Sequence, residues 1–411
     1  MPTYYKLFRK SLTHYNYTFK EGVNLLNEEF RCDEGGQGGF HFAEEDDIYI
    51  WINLYIDIHW IAEVKLCPDS QVLHMPKKLK TDKLIVGKIQ KIEDFINTGR
   101  QMKALEQEPW ALRYISNQTL EMCRHAIKQN GHVIKYVSSD IIKDEPKLLL
   151  QAIAQNPMSI QFIESKTQEV CSVAVEKNPL TIQFVDNHFQ TIAICLQAVK
   201  SNGLTLKFIT NQTNQTNQTE EIALAAVKQN GLALNYVLVK TRDICLEAVK
   251  QNGLAIQYVK EEAVEAVEAV TNIYTTAVNN NGLALKYIKT QNETLCLQAV
   301  KQNARALEFI HDSNQTEEIC LLAVKTNGSL IKYVKEELKT ENLLIEAVKQ
   351  NGLALRFIKA HQQTPEICLS AVKQNGIALY YVTAELKTPL IYFEAVNQNK
   401  IAQKYIFYVK G

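Results

Sequence analysis

Nine cysteines and nine histidines are the residues of this 411-residue chain best suited to bind a metal or act as nucleophiles. Cys32, His41, His59, Cys67 and His74 concentrate in the first hundred residues. Their separations of 9, 18, 8 and 7 residues match no zinc-binding spacing, and no metal is expected there. The other seven cysteines are Cys123, Cys171, Cys195, Cys245, Cys296, Cys320 and Cys368. Each lies three residues before an alanine in a recurring phrase, and no Cys-x-x-Cys pair occurs. A thiol repeated at one helical position acts as a small apolar side chain, so buried thiols are expected rather than disulfides or ligands.

Two polar rows have the regularity of a binding surface. Asparagine recurs in twelve copies of the phrase, among them Asn130, Asn202, Asn230, Asn252, Asn351 and Asn375. Lysine follows the alanine by two residues in eight copies: Lys128, Lys200, Lys228, Lys250, Lys301, Lys325, Lys349 and Lys373. Stacked at roughly the 10 Å thickness of a helix layer, these lysines would form a basic row able to follow phosphates. Lysine at a helix C-terminus also opposes the negative end of the helix dipole, and acidic phrases such as "TEEI" and "KEEL" balance the charge. The asparagines fall at a turn. A buried amide there can satisfy backbone groups of its own copy, and of the next copy as an asparagine ladder. "GGQGG" lacks the Lys-Ser/Thr of a phosphate loop, so no cofactor and no catalytic residue is assigned.

The elements that position these residues follow from the period. The alanine stands at positions 104, 126, 152, 174, 198, 226, 248, 277, 299, 323, 347, 371 and 395, with spacings of 22 to 29 residues. A period of this size indicates a solenoid. In the copy around Ala248, Cys245, Ala248, Val249 and Asn252 lie at i, i+3, i+4 and i+7, one face of a helix. Asp243 falls where an N-cap or first-turn acid belongs. Gly253 falls where a left-handed C-cap is expected. "LAIQYVKE" then reads as a second, shorter helix. The aromatic column that includes Tyr258 is filled in every copy and is expected to wedge between neighbours. Helices this short need stacking to be stable. The fold expected is mostly α: an α-solenoid of about thirteen helix-hairpin repeats over 101–411, preceded by a small α+β domain over 1–100.

The terminal copies differ. The first, "KALEQEPWALRYI", lacks the asparagine, and the last places Gln403 in an apolar column; both are expected to act as caps. A polar "TNQTNQTNQTEE" insertion is expected to be a loop, and "KEEAVEAVEAVTN" to extend a helix. Before residue 100, "TYYKLF", "YNYTF", "GGFHF", "IAEVKL" and "KLIVGKI" carry strand signals. "EEDDIYIWINLY" fits a short helix or a strand.

The composite phrase "CLEAVKQNGLALKYV" resembles the repeats of an uncharacterised family abundant in mimivirus-like giant viruses of amoebae. "EGVNLL", "GGFHF", "IAEVKL" and "KLKTDKLIVG" resemble a module at the start of repeat proteins in those viruses. This resemblance implies lineage and architecture. "GGFHFAEEDDIYIWI" resembles the glycine-strand-helix element of ADP-ribosyltransferases, without a companion motif.

Composition limits the function classes. Lys+Arg and Asp+Glu are both 45, so global charge does not favour nucleic acid. No signal-peptide core and no apolar run of membrane-spanning length is present, so an intracellular protein without a membrane partner is expected. Solenoids expose long variable surfaces and rarely carry catalysis. The reading is therefore a non-enzymatic scaffold for protein partners. The alternatives are nucleic-acid binding along the lysine row, and an effector whose activity resides in the N-terminal domain.

Overall fold

The computed structural model describes residues 2–14, 16–33, 37–53, 57–209, 218–260 and 267–405. The chain divides into two compact units, Met1–Phe189 and Gln190–Gly411. The first holds a β-rich domain and four copies of the repeat, and the second holds the remaining nine.

The β-rich domain contains β1 (Tyr4–Arg9), β2 (Thr13–His14), β3 (Tyr17–Thr18), β4 (Gly22–Leu25), β5 (Phe40–Glu44), β6 (Ile58–Leu66), β7 (Val72–Met75), β8 (Lys78–Thr81), β9 (Lys83–Val86) and β10 (Gln90–Lys91). The sheet order is β4-β9-β6-β1-β5-β8-β7, with β10 added to β6. Its pairings are antiparallel. The five strand signals of the sequence fall on β1, β3, β5, β6 and β9. Ile48–Asn53, within "EEDDIYIWINLY", is a 3-10 helix. One face of the sheet buries Phe8, Phe40, Phe42, Ala62, Val64 and Leu84.

This domain closes over the first copy of the repeat. Arg100 Nε pairs with Glu45 at 2.9 Å, and Lys103 Nζ pairs with Asp46 at 2.7 Å. Arg113 Nη2 donates to Ile52 O at 3.1 Å, and the Tyr114 hydroxyl to Ile58 O at 3.2 Å. The domain thus covers the N-terminal end of the repeats in this unit.

A typical copy is a ten-residue α-helix, a single extended asparagine and a six-residue 3-10 helix. Around Ala248 these are Arg242–Gln251, Asn252 and Gly253–Tyr258. Thr241 caps the α-helix, its side chain accepting the Ile244 N–H, and Asp243 lies in the first turn. Ile244, Cys245, Ala248, Val249, Ala255 and Ile256 are buried. The second helix is thus a 3-10 turn rather than an α-helix. Tyr258 is half-buried, and Tyr287 is 40% exposed. Most rings of the aromatic column are half-buried in this way, with Tyr114 buried and Tyr236 and Tyr287 exposed.

The glycine has a different cause from the one expected. Positive φ occurs in glycine only at Gly22, Gly38 and Gly99 among the described residues, so no repeat glycine is left-handed. A Cβ on Gly253 would stand 2.3 Å from Ala277 O in the next copy. Glycine is required because the next helix approaches its backbone.

The helix Val267–Asn280 has 14 residues and is longer than its counterparts, as its insertion suggested. Residues 261–266 of that insertion lie outside the described residues, as do 210–217 of the polar loop. At the ends, Glu108 replaces the missing asparagine, its Oε1 accepting the Trp110 N–H at 3.2 Å. The last copy exposes Gln403, and also Leu390, Phe393 and Ile401.

Candidate functional site

The asparagine row serves the repeat itself. Asn252 ends one helix by donating its N–H to Ala248 O at 2.9 Å. It starts the next helix by accepting the Leu254 N–H on Oδ1 at 3.0 Å. Asn130, Asn202, Asn230, Asn351 and Asn375 make the same side-chain cap. All six are half-buried. Their conformation, near φ −149° and ψ 108° at Asn252, lets one residue cap both helices.

Glutamine makes the regular contact between copies; of the six capping asparagines, Asn351 also reaches the previous copy, its Nδ2 donating to Ser329 Oγ at 2.8 Å. Gln251 precedes Asn252. Its Oε1 accepts the Gly231 N–H of the previous copy at 2.6 Å, and its Nε2 donates to Gln229 O at 3.5 Å. Gln155, Gln229, Gln302, Gln350, Gln374 and Gln398 repeat this bridge, and Asn280 substitutes in one copy. The sequence contains a signal for it. The copies after Gly131, Gly203, Gly231, Gly253, Gly282, Gly328, Gly352 and Gly376 supply Gln or Asn at this place, whereas Lys177 follows Pro157, Ser201 follows Pro179 and Thr326 follows Ala304; Gln129, after Pro109, only donates its Nε2 to Leu105 O at 2.8 Å. Proline has no N–H to offer.

In several copies a second glutamine fastens the copy to itself. Gln315 Nε2 donates to Tyr333 O at 2.9 Å while its Oε1 accepts the Lys335 N–H at 2.9 Å. Gln363 does the same with Tyr381 and Thr383.

The seven repeat cysteines are wholly buried, as Ala248 is. Burial pushes the thiol of each up to about 11. Their chemistry is that of small apolar groups. In the N-terminal domain Cys32, His59 and His74 are exposed, and His41 and Cys67 are half-buried. Among the described residues, no group of three or more His, Cys, Asp or Glu is placed to hold a metal ion.

The lysine row is exposed throughout. Lys250 pairs with Glu247 at 2.7 Å, Lys349 with Glu346 at 3.3 Å and Lys373 with Glu394 at 3.8 Å. Parts of the row are therefore mixed in charge.

The 3-10 helices carry a second outward row. Lys286 Nζ lies 5.7 Å from the ring centroid of Tyr287 and 5.8 Å from that of Phe309 in the next copy. Lys332 lies 4.4 Å from Tyr333 and 5.9 Å from Phe357, and Arg356 lies 4.5 Å from Phe357. In the first unit Lys135 stands over Trp110, Tyr136 and Phe162. This ridge of cations over aromatic rings is the chemically distinctive outward surface of the repeats.

A family model described as a domain of unknown function, DUF4116, matches residues 119–168, 167–212, 219–262, 316–362 and 341–387, together just over half of the chain. Neither a curated protein nor a solved structure gives a significant match.

Proposed function

We propose, for a chain that belongs to the DUF4116 family, that its repeats are a non-catalytic scaffold for docking a protein partner. One observation carries this reading. Apart from the exposed lysine row, the chemistry-bearing side chains that recur are consumed inside the repeats: cysteine as core, asparagine as cap, glutamine as bridge. The other outward positions vary from copy to copy, as a solenoid's recognition surface does. The partner suggested by the ridge of Lys286, Lys332 and Arg356 is acidic. The resemblance of the repeats to those of mimivirus-like giant viruses supports an origin there and a role inside a cell. No helix among the described residues is long and apolar enough to cross a membrane.

Nucleic acid is the second reading. Lys200, Lys228, Lys301 and Lys325 make no ion pair among the described residues, which leaves part of the row open to phosphate. Against it, the aromatic rings of the ridge are already faced by the protein's own cations, and so are poor platforms for stacked bases.

Affinity capture from the native source tests both readings, using the full chain and a variant with Lys286, Lys332 and Arg356 changed to Glu. A discrete protein retained after nuclease and lost in the variant supports the scaffold. Capture that disappears with nuclease and falls steeply with salt replaces it with the lysine row.

A further inference from the structure

The first strand breaks its own pattern at one residue. Side chains alternate along a strand, and Tyr4, Lys6 and Phe8 share the inward face of β1. Lys6 is 4% exposed. A buried ammonium is costly unless it is paired, yet Lys6 has no ion pair among the described residues. Its Nζ donates to His41 O at 2.7 Å, which uses one of three donors. It stands 4.6 Å from the Phe19 ring centroid and 5.7 Å from that of Phe8.

Lys6 lines a cavity of about 130 Å³. The walls are largely apolar, with the rings of Phe8, Phe19, Phe42 and Trp51 beside Leu7, Ile48 and Ile58. Among the described residues the charged and titratable lining groups are all basic: Arg9, His14, His41 and Lys78 beside Lys6, with no carboxylate. Arg9 is matched outside by Asp57 at 3.6 Å, and Lys78 lies over the Trp51 ring at 5.3 Å. A second, independent feature is His41 Nε2, which is buried and without a hydrogen-bond partner among the described residues. Burial holds His41 at about 3 and His14 at about 4, so both rings are neutral near neutral pH. The fold thus leaves a buried cation and an unsatisfied imidazole nitrogen beside an aromatic chamber.

We propose that this cavity binds a small anion with an aromatic or apolar body, its carboxylate or phosphate end meeting Lys6 Nζ and His41 Nε2. A water would satisfy the imidazole but would leave the ammonium without a counter-charge. A purely apolar ligand would satisfy neither group. Size points to one ring, because an apolar cavity of about 150 Å³ takes benzene. The anion also explains why a lysine occupies an inward position where the strand pattern calls for an apolar residue.

The test is calorimetric titration of the full chain with benzoate, phenyl phosphate and benzyl alcohol at about pH 6, where Lys6 carries its proton. One of the anions is expected to bind at least roughly tenfold more tightly than the alcohol. Which anion binds better distinguishes a carboxylate from a phosphate site. Lys6→Met should remove that preference while retaining the alcohol. A second measurement needs only the unaltered protein. Burial lowers Lys6 to about 7, so binding the anion at about pH 8.5 must draw in a proton, seen as a heat that depends on the buffer. No binding of either anion overturns the proposal. So does equal binding of the alcohol, a preference that survives in Lys6→Met, or binding without proton uptake.

Discussion

Gln350 holds Gly328. Its Oε1 accepts the glycine N–H at 2.6 Å, and its Nε2 donates to Thr326 O at 3.1 Å, so one side chain spans two consecutive copies. The backbone donor it satisfies sits at a junction between helices, where an unpaired polar group is costly.

Gln350→Ala should therefore destabilise that junction by roughly 1–3 kcal/mol. Repeat arrays open locally, so the suitable measurement is hydrogen exchange at the Gly328 amide. Exchange should accelerate there and in the neighbouring helix Glu341–Gln350. Unchanged protection at Gly328 would show that the amide bridge contributes nothing to stacking.

Gly352→Ala tests close approach. The new Cβ would stand 2.3 Å from Ala371 O, and the adjacent helix must move. Overpacking of this kind costs about 1–3 kcal/mol. Ala304→Gly is the control, since that junction already accommodates a methyl group, and its cost is the helix-propensity difference of about 1 kcal/mol or less. Thermal unfolding should separate the two variants, with Gly352→Ala the more damaged. Equal shifts would return the explanation to backbone conformation.

Much of this architecture was legible in the sequence because Cys, Ala and Val recur on one face of each helix. Cys245, Ala248 and Val249 needed only the 3.6-residue period to be placed in the core. Six residues are too few to separate that period from 3.0, so Gly253–Tyr258 could not be identified as a 3-10 helix from pattern. Gly253 misled for a related reason. A left-handed cap and a crowded junction both favour glycine, and the deciding atom, Ala277 O, belongs to another copy. The Gln251 bridge was hidden because a glutamine on an exposed helix end looks like a solvated residue. Only its pairing with glycine across copies marks it. In the β-rich domain, β1 and β6 are long enough to show alternation, whereas β7 and β8 have four residues each. The cavity was not visible at all, since His41 and Lys6 meet only when β1 pairs with β5.

The repeat cysteines should resist alkylation. The thiolate is the reactive form, and a thiol held near 11 is almost wholly protonated at about pH 8. Access is closed as well, since all seven are buried. Mass spectrometry after a short treatment with iodoacetamide should find label on exposed Cys32 and little on Cys245 or Cys320. Rapid labelling of the repeat cysteines in folded protein would contradict the packed core.

Lys6 gives the β-rich domain a pH dependence of unusual sign. Burial lowers its folded value from 10.5 to about 7, so the unfolded chain binds the extra proton between those values. Stability from this residue must therefore rise with pH across that window. Below about 7 both states are protonated and the penalty for burying the charge is fully present. Lys6→Met removes the charge but also the 2.7 Å bond to His41 O. The variant should be more stable than the natural chain at about pH 6, by on the order of 2–4 kcal/mol after that loss. Near pH 10 the gain should vanish. Hydrogen exchange of β1 and β6 amides at the two pH values, corrected for intrinsic exchange rates, reads this directly. A variant less stable at both would mean that the ammonium is already compensated within the fold. The vacant charge on which the anion site depends would then not exist.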